Sequence, residues 1–169
     1  MASNRTVQYV DFGITSARQF WDENVVPAFE RFEAQPNRAN AIDASVPAWH
    51  VHEWIWHEQN PGADTRQNAD YRRFQASLIS ACPALAWIRD VADAGKHRGL
   101  GRPAEVQRVA SGMVQIGGPI ASAPIGAAPI AGSISIRMPL TITLIDGSEL
   151  EFGAVLSRVL DYWRASHFP

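Results

Sequence analysis

Leu85-Ala-Trp-Ile-Arg-Asp-Val-Ala-Asp-Ala-Gly-Lys-His-Arg-Gly-Leu100 is the densest run of chemically capable side chains in the chain, with Arg89, Asp90, Asp93, Lys96, His97 and Arg98. It also stands where helical spacing gives way to alternation. Projected at about 100° per residue, Leu85, Ile88, Val91, Ala92 and Gly95 share an apolar face, and Arg89, Lys96, Asp93, His97 and Asp90 fill an arc beside it. Pro83 suits the first position of this helix, about 83–97, because its missing amide hydrogen would have no helical partner there. Gly99-Leu-Gly-Arg-Pro ends it.

Toward the N-terminus the spacing predicts three more helices. The first spans roughly 16–34, capped by Thr15 or Ser16, with Phe20, Val25, Phe29 and Phe32 at helical spacing and Pro27 kinking or dividing it. A second runs from about 37 to 58. Ile42, Val46, Trp49, Glu53 and Trp56 draw its stripe, His52 lies off that stripe, and Pro47 interrupts the helix. After the Pro61-Gly62 turn, a third at about 67–81 buries Tyr71, Phe74, Leu78 and Cys82. Before them, residues 1–14 read as a lead-in with a short strand at Val7 to Phe12.

Toward the C-terminus, Val106, Arg108 and Met113 through Ile116 predict one or two strands. Pro-Ile then recurs every five residues (Pro119, Pro124, Pro129) in an uncharged Gly/Ala-rich stretch, 117–132, which reads as a flexible loop or sheet edge. Ser133–Met138 and Leu140–Ile145 continue as strand, Asp146-Gly147 turns a hairpin, and a last helix at about 153–167 packs Val155, Leu156, Val159, Leu160 and Trp163 back onto the body. The fold class is therefore α+β: a four-helix N-terminal bundle over 16–98, a small antiparallel sheet over about 105–152, and a C-terminal helix, in one domain of 169 residues.

Composition narrows function. At 46% hydrophobic, 19% charged and net charge -2, the chain has no general electrostatic pull toward nucleic acid. A single cysteine, Cys82, allows neither an internal disulfide nor a cysteine zinc site and suits a reduced, cytoplasmic setting. The N-terminus lacks a signal-peptide apolar core, and no stretch reads as a membrane span. There is no P-loop, dinucleotide fingerprint or nucleophile elbow.

Three readings of the polar residues remain. In the plainest, Arg89–Asp93 and Asp93–His97 are i, i+4 pairs worth a few tenths of a kcal/mol each, Glu53 ties to His97 or Arg89, and the protein is a non-catalytic interaction or accessory protein. It would work through a protein partner, bound at the Pro-Ile run or the exposed sheet edge, or as a homodimer, without a cofactor; Glu53, Lys96 and Arg98 are candidate binding residues. The second is a helical-bundle metal site at His50, Glu53 and His57, which share a face at i, i+3 and i+7.

The third rests on resemblance. A helical bundle whose late helix carries Arg89, its polar neighbour Asp90 and then His97 resembles the HEPN superfamily of bacterial defence and toxin proteins, whose motif is Arg, about four to six intervening residues, His. Here seven residues, 90–96, intervene, and the match covers only 16–98. The run from Arg89 to Arg98 is also similar to a segment of other bacterial proteins that supplies no function. The resemblance implies a metal-independent ribonuclease, acting on RNA as a homodimer. In it His97 would move protons, Arg89 or Arg98 would stabilise the phosphorane, and Asp93 would orient the imidazole.

Overall fold

A computed structural model describes residues 13–65, 68–97, 102–111 and 139–169. The strands expected at Val7–Phe12, Met113–Ile116 and Ser133–Met138, the Pro-Ile stretch, and Arg98 lie outside these. The described elements run α1 (Ala17–Phe20), a π-helical turn (Trp21–Val25), α2 (Val26–Ala34), α3 (Arg38–Gln59), α4 (Ala69–Ala81), α5 (Ala84–Lys96), β1 (Val106–Ser111), β2 (Leu140–Leu144), β3 (Glu149–Glu151) and α6 (Phe152–His167). The architecture is α+β.

Ser16 caps α1 by accepting from the Gln19 amide at 3.0 Å. The helical path is divided, as Pro27 requires, but not by a kink at the proline. A π turn at Trp21–Val25 absorbs the irregularity and places Pro27 in the first turn of α2, where a missing amide costs little. Asn37 caps α3 through the Asn40 amide. Against expectation, α3 runs unbroken through Pro47, because the helix is packed on several sides and only the bond to the Asp43 carbonyl is lost.

The buried face of α3 also departs from the expected stripe. Trp49 and Trp56 of that stripe are buried, together with Ala41, Ala44, Ser45, Ala48, Val51, His52 and Ile55, whereas Ile42, Val46 and Glu53 are only half-buried. Small residues let α3 approach its neighbours closely, so its buried face includes alanines that a stripe of large side chains passes over. Trp163 Nε1 reaches the Ala48 carbonyl at 3.0 Å. At Gly95 an added Cβ would overlap Ile42 Cγ2, so the end of α5 meets the start of α3 at a separation that suits glycine.

Strand order is β1-β2-β3, both pairs antiparallel. β2 buries Leu140, Ile142 and Leu144 in alternation against α6. Asp146-Gly147 turns the β2–β3 hairpin as its sequence demands. Gly147 has φ 84°, its amide donates to the Leu144 carbonyl at 3.0 Å, and Asp146 Oδ1 accepts from the Ser148 amide at 2.9 Å. On α6, Val155, Leu156, Val159, Leu160 and Trp163 are all buried as the spacing predicts.

Candidate functional site

The polar arc of α5 is knitted into the fold. Asp90, 2% exposed, accepts from the Glu105 amide at 2.5 Å and the Val106 amide at 3.1 Å, and pairs with Arg102 at 2.5 Å. It therefore holds the first residues of β1 against α5. Arg102 reaches past it to Asp93 at 2.7 Å, so Asp93 pairs with Arg102. Those two carboxylates raise the Arg102 pKa against the opposing effect of burial. Arg89 lies over the Trp49 ring at 5.8 Å and 3.6 Å from Asp90 Oδ1, an ion pair beyond hydrogen-bond reach. Burial, and then the Arg102 charge, lower its pKa. Arg102 gives no helix-face signal in sequence because it lies past the glycines that end the helix.

His97 caps the C-terminus of α5 in extended conformation and is exposed. It lines a cleft of about 340 Å³ with Asp90, Arg102 and Arg108. Glu53 lines a different cleft, so Glu53 and His97 are not brought together. Among the described residues, no group of three or more His, Cys, Asp or Glu is placed to hold a metal ion, so His50, Glu53 and His57 do not converge. His50 Nδ1 instead donates to the Val46 carbonyl at 2.7 Å.

The histidine left off the stripe proves to be the buried one. His52 is 0% exposed. Its Nδ1 donates to the Trp49 carbonyl at 2.5 Å, which makes Nε2 the acceptor. Two donors converge on Nε2, the Tyr71 hydroxyl and Gln75 Nε2, each at 2.7 Å. Burial pushes the imidazole pKa down to about 4, with the Trp49 carbonyl and Glu53 opposing. Burial and the adjacent Glu53 charge raise the Tyr71 pKa. The group fastens α3 to α4 as a neutral, fully paired core histidine.

A cleft of about 620 Å³ runs between the α1–α2 path and α3. The two helices pair antiparallel. Phe20 stacks on Trp54 at 5.0 Å, the Ala17 amide meets Glu58 at 2.6 Å, and at the other end Asn40 Nδ2 reaches the Arg31 carbonyl at 3.4 Å. Two helix irregularities face this cleft. Asn24 belongs to the π turn, and Pro47 leaves the Asp43 carbonyl without its helical donor. Asn24 Nδ2 is buried with no hydrogen-bond partner. Charged residues line both ends: Glu23 and Glu53 beside the aromatic pair, Arg31, Asp43 and Lys96 at the other.

Comparison with known protein families, curated proteins and solved structures finds no match to this chain. Among the described residues no helix is long and apolar enough to cross a membrane.

Proposed function

We propose that this chain is a non-catalytic interaction protein that binds a ligand in the cleft between the α1–α2 path and α3. The observation that carries the reading is the cleft itself. It has the volume of a ligand site, charged groups at both ends, and in its lining Asn24, whose buried Nδ2 has no hydrogen-bond partner. The polar residues of α5 support the same reading from the other side, because Asp90, Asp93 and Arg102 are occupied in holding β1. Lys96 and Glu53, expected from sequence as binding residues, both line the cleft.

The test is a thermal-shift screen of the purified protein against charged small molecules, beside an RNA-hydrolysis assay. At least one compound is expected to raise Tm, with the effect lost in Glu53→Gln and Lys96→Ala and kept in His97→Ala, and RNA is expected to survive. RNA cleavage that disappears in His97→Ala, or ligand stabilisation indifferent to both cleft variants, would overturn the proposal.

A further inference from the structure

The charges along the cleft are sorted, and the sorting defines the ligand. Helix pairing sets the order: Phe20 lies against Trp54, and Arg31 against Asn40. Glu23 follows Phe20 by three residues, and Glu53 precedes Trp54, so two carboxylates flank the aromatic end. At the far end stand Arg31 and Lys96 with Asp43. Lys96 is brought there by the contact of Gly95 with Ile42. The aromatic end thus carries two negative charges and the far end one net positive charge.

Between Asp43 and Glu53 the cleft follows ten residues of α3, about 15 Å at the helical rise. An extended peptide advances about 3.3 Å per residue, so four or five residues span it. Asn24, beside Glu23, also lines the cleft, and its Nδ2 is buried without a hydrogen-bond partner. An ammonium group at the aromatic end gains the Glu23 and Glu53 charges together with the Trp54 and Phe20 faces. A carboxylate at the far end meets Arg31 and Lys96.

Building on the binding reading above, we infer that the cleft takes a short zwitterionic peptide of four or five residues, its free amino terminus at Glu23 and Glu53 and its free carboxylate at Arg31 and Lys96. Both charges are needed, because each end of the cleft is matched by only one terminus.

Isothermal titration of the full chain with tetraalanine, N-acetyl-tetraalanine and tetraalanine amide tests this. Tetraalanine is expected to bind at least about tenfold more tightly than either capped form, the loss of one charge-assisted contact. Glu23→Gln, exposed and remote from Tyr71, is expected to weaken tetraalanine while leaving the N-acetyl form unchanged. Lys96→Ala is expected to do the converse, leaving the C-terminal amide unchanged. Equal affinity for all three peptides, or no tetraalanine binding, overturns the inference. If tetraalanine fails while another compound still stabilises the protein in a manner sensitive to Glu53→Gln, only the peptide assignment falls. If no compound does so, the binding reading falls with it. Circular dichroism melts of the variants establish that they are folded.

Discussion

Asp90→Ala is expected to lower unfolding stability by about 3–5 kcal/mol, the usual result of removing one partner from a buried charge pair. The side chain is 1% exposed and serves three donors at once: the Arg102 guanidinium and the amides of Glu105 and Val106. Its removal leaves two backbone amides unmet where β1 begins and frees Arg102 to follow Asp93 toward solvent. Because Arg102 is 30% exposed and can recover hydration, the lower part of that range is expected. Asp93→Ala removes only the half-exposed arm of the network and should cost less than about 1 kcal/mol. Urea unfolding measures both, and amide hydrogen exchange over Val106–Ser111 should accelerate in Asp90→Ala before the helices open. A loss below 1 kcal/mol would mean that Asp90 does not hold the strand to the helix.

The second large effect is a pH dependence centred on His52. Its folded pKa, about 4, lies below the 6.5 of an unrestrained imidazole, so the unfolded chain binds the proton first. Stability is therefore complete above pH 6.5, falls as the pH drops from 6.5 toward 4, and levels off below. At about 1.4 kcal/mol per pKa unit, the loss across that window is about 3 kcal/mol. Around the ring stand the Trp49 carbonyl, Tyr71, Gln75, and the charges of Glu53 and His50. His167 is shifted in the same direction by burial, so the comparison must be made with His52→Gln, which retains His167. The difference in unfolding free energy between the two proteins should narrow by about 3 kcal/mol between pH 7 and pH 4. A difference that stays constant over that interval would contradict a buried neutral His52.

Much of the architecture was legible because local signals agreed with the tertiary outcome. The Asn37 and Ser16 caps, the Asp146-Gly147 hairpin and the apolar face of α6 each follow from the chemistry of a few adjacent residues. The face of α3 was not legible by the same means. Of the stripe Ile42, Val46, Trp49, Glu53 and Trp56 only the two tryptophans are buried, while Ala41, Ala44 and Ala48, which carry no large apolar signal, are buried as well. His52, excluded by that stripe, became the central buried polar group. The candidate site was split for a related reason. Sequence spacing shows which residues share a helix face, yet Glu53 and His97 lie in separate clefts and Asp93 takes a partner from beyond the helix, Arg102. Pairing across elements depends on approach distances that no single helix encodes.

Backbone amide NMR during a tetraalanine titration distinguishes ligand binding in the α1–α2/α3 cleft from binding in the His97 cleft. Shifts are expected at Phe20, Asn24, His50, Trp54 and Lys96, with Arg102, Arg108 and Val109 unchanged. Shifts confined to residues 97 and 102–109, with the other residues silent, would contradict binding in the α1–α2/α3 cleft.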